Sequence, residues 1–147
     1  MLLEATTHIR QPVEKVFAFL AHHPNHALFV KQNISCEQVS PGEMGVGTRV
    51  KNVARLFGSL GGRIEEHFEI TTFEKPFKLG KSSREGSSFE TTDCFELSEF
   101  EGGTNVRFTV TVTPNNFFKR ALVSMMKNTV HGAMKDSLSS LKALLEK

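Results

Sequence analysis

A chain of 147 residues, 39% hydrophobic and 23% charged, is long enough to bury a sizeable core and has the composition of a folded globular protein rather than a disordered one. A formal net charge of +2 with no Lys/Arg cluster excludes nucleic acid as an expected partner. No stretch approaches the ~18 apolar residues of a membrane span and the start lacks a signal-peptide pattern, so stable membrane insertion is excluded and the reducing cytoplasm is the expected compartment.

Thirteen Phe stand beside no Tyr and no Trp, so aromatic bulk here comes without hydroxyl or indole chemistry. Cys36 and Cys94 lie far apart in strand-like segments and are expected to be reduced thiols rather than a disulfide. Neither a metal nor a cofactor is expected.

Residues 2–9 read as a first strand. Pro12 marks the first turn of a helix, PVEKVFAFLAHH, with Val13, Val16, Phe17 and Leu20 on one face. His22, His23, Pro24, Asn25 and His26 close it, and residues 27–30 suggest a second, short helical turn. Three histidines around a proline invite a metal reading. Zinc needs converging ligands, however, and His22 and His23 on one helix point about 100° apart, so a surface turn is expected.

From residue 34 the apolar period becomes two. Strands are expected at 34–39, 48–57, 63–73, 77–84, 89–100 and 105–113, with turns at 41–47, 58–62, 74–76, 85–88 and 101–104. Such tight connections make the meander antiparallel, with one apolar and one solvated face. Its glycine-rich loops lack the Lys-Ser/Thr of a phosphate loop, and no G-x-S-x-G or Cys–His pairing marks a nucleophile.

Residues 116–147 read as one helix roughly 45 Å long at ~1.5 Å per residue. Val123, Val130, Met134, Leu138, Leu141 and Leu145 share a stripe, Met126 and Leu144 flank it, and Asn115 or Asn116 caps the start. A stripe this long needs an extended partner surface, and the strands are the only candidate. The expectation is a single α+β domain over 1–147.

I-x-x-P-V-E-K-V-F-A-F-L (9–20), G-V-G-T-R-V (45–50), I-E-E-H-F-E-I-T-x-F-E-x-P (64–76) and S-L-K-A-L-L-E (140–146) resemble the polyketide cyclase/dehydrase-like branch of the START-related, Bet v 1-like superfamily (SRPBCC). The resemblance covers nearly the whole chain. It implies a helix-grip fold: a curved antiparallel sheet of about six or seven strands wrapped around the long C-terminal helix, a short N-terminal helix pair, and a cavity between sheet and helix. It also implies two styles of function: binding of a small hydrophobic or amphipathic molecule, or a cyclase/dehydratase that moves protons with inward polar groups.

Strand parity nominates those groups. Glu66 shares parity with Ile64, Phe68 and Ile70; Lys81 with Phe77 and Leu79; Thr91 and Asp93 with Phe89, Phe95 and Leu97; Asn52 with Val50, Ala54 and Leu56. Charges turned inward must pair or face water or ligand, and a Glu–Lys–Asp group in an apolar cavity would anchor one end of a ligand. The alternative is that a β-bulge or a sheet edge turns these charges to solvent. The expected lining is Asn52, Glu66, Phe68, Lys81, Asp93, Phe95 and Phe108 from the sheet, with Met126, Val130 and Met134 from the helix. Lys127 and His131, at the edge of the helical stripe, are expected in solvent.

Overall fold

The switch from period two to helical spacing at Pro114 divides the chain into a sheet and the helix that covers it. The computed structural model describes residues 1–55, 62–85 and 89–147. Its elements are β1 (Leu2–Ile9), α1 (Val13–Ala21), a 3-10 turn (His23–Asn25), α2 (His26–Phe29), β2 (Asn33–Gln38), β3 (Arg49–Arg55), β4 (Arg63–Glu74), β5 (Lys78–Ser83), β6 (Glu90–Phe100), β7 (Gly103–Thr113) and α3 (Phe117–Leu145). The loop expected at 58–62 and the turn at 85–88 fall, at residues 56–61 and 86–88, outside the described residues.

All described pairings are antiparallel, in the order β1-β7-β6-β5-β4-β3-β2. The meander therefore gains β1 as an edge strand beside β7, with Leu2 opposite Thr111 and Ile9 opposite Thr104. One bulge matters for parity: the β4–β5 register shifts between Ile70 and Thr72. Glu66 precedes it and keeps the inward phase of Phe68 and Ile70. Beyond it the phase reverses, so Phe73 turns inward and meets Phe17 edge-to-face at 5.4 Å. Phe77 precedes β5 rather than sharing its inward phase, and is 47% exposed.

Pro12 sits one position before α1, at its N-cap. Helix α1 buries Val13, Val16, Phe17 and Leu20, as its apolar face requires. Asn116 caps α3, its side-chain oxygen accepting from the Lys119 backbone N–H at 2.8 Å. The two halves of α3 then behave differently. Met134, Leu138, Leu141 and Leu145 join the main core with Ile9, Val16, Leu20 and Phe29. Hydrogen bonds from Gln11 Nε2 to the Leu145 carbonyl (2.6 Å) and from the Arg10 backbone N–H to Glu146 Oε2 (2.8 Å) tie down that end. In the first half only Val123 is buried. The helix is thus packed solid at its C-terminal end and stands away from the sheet at its N-terminal end, and this difference creates the space described next.

Candidate functional site

Two chambers lie between the concave face of the sheet and α3. The deeper, of about 380 Å³, is bounded by His26 and Phe29 of α2, Asn52 of β3, Glu66 and Phe68 of β4, Lys81 of β5, Asp93 and Phe95 of β6, Phe108 of β7, and Val130, Ala133 and Met134 of α3. The outer, of about 410 Å³, lies under the first turns of α3 and is bounded by Leu122, Val123 and Met126 with Phe89, Val112 and Met1. Ile64, Glu66, Phe68, Phe89, Thr91, Val110 and Val130 line both, so the chambers adjoin along these residues. Each volume falls in the range of small-molecule sites, roughly 300–1,000 Å³.

His26, Asn52, Glu66, Lys81 and Asp93 gather on one wall of the deeper chamber, and Gln32, Asn33, Arg55 and Ser137 lie elsewhere on its lining. Lys81 Nζ donates to Asp93 Oδ2 at 2.6 Å, across the β5–β6 pair that places the two residues opposite each other. The Lys81 ammonium also lies 5.0 Å from the centre of the Phe68 ring. Side-chain exposures of 10% and 17% make this a buried ion pair, one that costs desolvation and holds only while both partners remain. Next to it, His23 Nε2 donates to Asn52 Oδ1 at 2.7 Å, and His26 Nε2 donates to the Leu20 carbonyl at 2.8 Å. The two imidazoles lie tilted at 39° with centroids 4.6 Å apart, and His26 meets Phe95 edge-to-face at 5.9 Å. Glu66 lies opposite Asn52 in the β3–β4 register, and its carboxyl has no hydrogen-bond or ion-pair partner among the described residues.

These surroundings set the charge of the wall. Burial, reinforced by the Lys81 charge, lowers the His23 pKa to about 4, and the bond to Asn52 only partly opposes it. His26 is pushed well below its ordinary range by burial, then by Lys81 and His23. Both rings are therefore neutral at pH 7, which agrees with each donating from Nε2 to an acceptor. Burial raises the Glu66 pKa, Asp93 raises it further, and Lys81 opposes both. The Cys36 thiol behind this wall is raised to about 11, chiefly by burial, so it is inert rather than nucleophilic. At neutral pH the wall holds, among the described residues, the Lys81–Asp93 ion pair, two neutral histidines and the Glu66 carboxyl without a hydrogen-bond or ion-pair partner.

Asn52, Glu66, Phe68, Lys81, Asp93, Phe95, Phe108, Val130 and Met134 are brought together around the deeper chamber, whereas Met126 lines only the outer one. Lys127 is exposed, while His131 donates from Nε2 to the Glu4 carbonyl at 2.8 Å. The expected surface turn at the histidines is corrected. Only His22 is exposed, while His23 and His26 are 3% and 5% exposed and belong to the polar wall. The 3-10 turn rotates them inward onto β3. The available signal was Phe29 a turn later, with apolar residues before and after, which marks the segment as one that packs. Cys36 and Cys94 are free, and among the described residues no group of His, Cys, Asp or Glu is arranged to hold a metal. No helix among them is long and apolar enough to cross a membrane.

A family model described as polyketide cyclase/dehydrase and lipid transport matches residues 2–146. Among solved structures, a Thermus thermophilus protein is similar at 20% identity and a TM-score of 0.79, covering 97% of this chain and 95% of that one. A START superfamily protein from Mycobacterium smegmatis is similar at 9% identity and 0.78, covering 99% and 97%. A Deinococcus radiodurans protein is similar at 18% identity and 0.73, covering 99% and 97%. At these identities the likeness is one of fold. Among curated proteins there is no match.

Proposed function

The chain belongs to the polyketide cyclase/dehydrase and lipid transport family, and on that premise we propose that it binds one small amphipathic molecule, lipid-, polyketide- or isoprenoid-like, between its sheet and α3. The observation that carries this reading is the asymmetry of the hollow. Apolar side chains predominate in the outer chamber, beside Glu65, Glu66, Ser83 and Thr91, while Asn52, Glu66, Lys81, Asp93 and His26 converge on one wall of the deeper one. An apolar body would occupy the space under α3, and a polar end would meet Glu66, the Asn52 amide and the Lys81–Asp93 pair. Phe68, Phe95, Phe108, Val130 and Met134 would supply apolar contact, with Met126 at the outer end.

A second reading, proton-transfer catalysis of the cyclase/dehydratase kind, is favoured by one specific feature: the unpartnered Glu66 carboxyl, whose pKa burial raises toward the range useful for a general acid or base. A single set of titrations separates the two. Acyl amphiphiles, isoprenoid alcohols and aromatic polyketides are titrated into the parent and Glu66→Gln by thermal shift and calorimetry. Saturable binding of one molecule per chain supports the binding reading, and absence of binding across all three classes contradicts it. Loss of a charged hydrogen bond should weaken a ligand held at Glu66 by about tenfold or more. For a catalyst, Glu66→Gln would instead leave binding intact and abolish turnover of a linear poly-β-carbonyl substrate.

A further inference from the structure

Two side chains of the deeper chamber stand side by side with a donor and an acceptor left over. Asn52 and Glu66 are directly opposite in the β3–β4 register, where side chains on one face stand about 5 Å apart. His23 Nε2 donates to Asn52 Oδ1, which fixes the amide and leaves its Nδ2 hydrogens on the other side. Among the described residues neither Asn52 Nδ2 nor the Glu66 carboxyl has a hydrogen-bond partner. Every fully buried side-chain nitrogen or oxygen among those residues does have one. The two groups therefore open onto the hollow they line rather than lie sealed behind it.

Cations are placed elsewhere. Among the described residues Arg55 and Lys81 are the lysine and arginine side chains that line the chambers. Lys81 is committed to Asp93 and to the Phe68 face, and Arg55 is exposed at the end of β3. Neither forms an ion pair with Glu66.

We infer that the hollow recognises the hydroxyl end of an alcohol or phenol, held between Asn52 and Glu66, and discriminates against a carboxylate or phosphate end. The inference rests on the binding reading above and narrows its ligand class. A hydroxyl has one hydrogen to donate to Glu66 and lone pairs to accept from Asn52 Nδ2, so it satisfies both groups at once. A carboxylate or phosphate end has the acceptors for Asn52 but sets a second acid against Glu66, and one of the two must then take up a proton. An ammonium end has only donors and leaves the Asn52 hydrogens facing other hydrogens. Glu66 lines both chambers, so a hydroxyl held there lets the attached apolar body run beneath Leu122, Val123 and Met126.

The test is calorimetric titration of decanol, decanoate and decylamine, one chain with three ends, into the parent and Glu66→Gln at neutral pH. Decanol should bind the parent at least about tenfold more tightly than either ion, the scale of one buried group left unmatched. In Glu66→Gln decanol should weaken by about tenfold while decanoate strengthens, because the neutral amide removes the opposing acid. Changes of opposite sign for two ligands with the same chain are not produced by a merely loosened fold. Decanoate or decylamine binding the parent as tightly as decanol overturns the inference and leaves the binding reading standing. So does a Glu66→Gln variant that shifts all three affinities alike. Failure of all three to bind the parent contradicts the binding reading itself, and the hydroxyl preference with it.

Discussion

Acidification from pH 7.5 to 4.5 is expected to remove about 2–3 kcal/mol of stability through His23 alone, with His26 removing more. The sign follows from the direction of each shift. The His23 pKa is about 6.5 in the unfolded chain and about 4 when folded, so the unfolded chain binds more protons throughout that window. Stability is fully present above pH 6.5 and falls as the pH drops toward 4. His26 is lowered for the same first reason, burial, and its loss begins at the same upper limit. Glu66 acts oppositely. Its folded pKa is raised, so its ionisation costs stability as pH rises from the ordinary 4.5 through the folded value. Urea midpoints at both pH values, compared between the parent and His23→Gln/His26→Gln, measure the histidine contribution. The double variant should be weaker at pH 7.5, because it loses two buried rings, yet lose markedly less on acidification. Parallel losses in the two proteins would show that these histidines do not set the slope.

Asp93→Asn should be the most damaging conservative change in the polar wall. It leaves the Lys81 ammonium buried with a neutral partner, at a cost of about 3–5 kcal/mol for a broken buried pair. The nearby Glu66 carboxylate offsets part of this, so a loss near the lower figure is expected, or on the order of 10 °C in melting temperature for a chain of this size. Replacing both partners with apolar residues of similar volume, Lys81→Met/Asp93→Leu, removes both charges and should recover most of the stability. A double variant as unstable as Asp93→Asn would mean that the pair matters through its shape rather than its charge. The two melting curves decide between these outcomes.

How much of this was legible in the residues depended on range. Helix α3, its Asn116 cap and the period-two strands follow from local spacing, and the structure reproduces them within a residue or two. The inward phase of Asn52, Glu66, Lys81 and Asp93 was also legible, because the one bulge in β4 comes after Ile70 and leaves Glu66 in phase. A bulge four residues earlier would have turned Glu66 to water with hardly any change in the sequence pattern. The burial of His23 and His26 was not legible. It depends on a turn folding back onto β3, and the His23–Asn52 contact joins residues 29 positions apart. Nor could the wheel reveal that α3 packs tightly only in its second half, since Val123 and Val130 match the stripe as well as Leu138 and Leu141. The difference lies in what faces them: Val16, Leu20 and Phe29 build up the core beneath the second half, and the first half has only the sheet. Hence the resemblance supplied the idea of a cavity, and the packing supplies its lining.

A binding site and a packing defect under α3 respond differently when the hollow is filled. The most direct measurement is a fluorescence titration of a long-chain amphiphilic probe into the parent and into Ala133→Phe, whose added ring would project from α3 into the deeper chamber. Filling space that is already present should leave the melting temperature unchanged or raise it. A binding site should take up one probe per parent chain, with affinity weaker by about a hundredfold or more in Ala133→Phe, the scale of excluding a few methylenes at ~0.8 kcal/mol each. Equal affinity of the two proteins for the probe, with Ala133→Phe still fully folded, would contradict it.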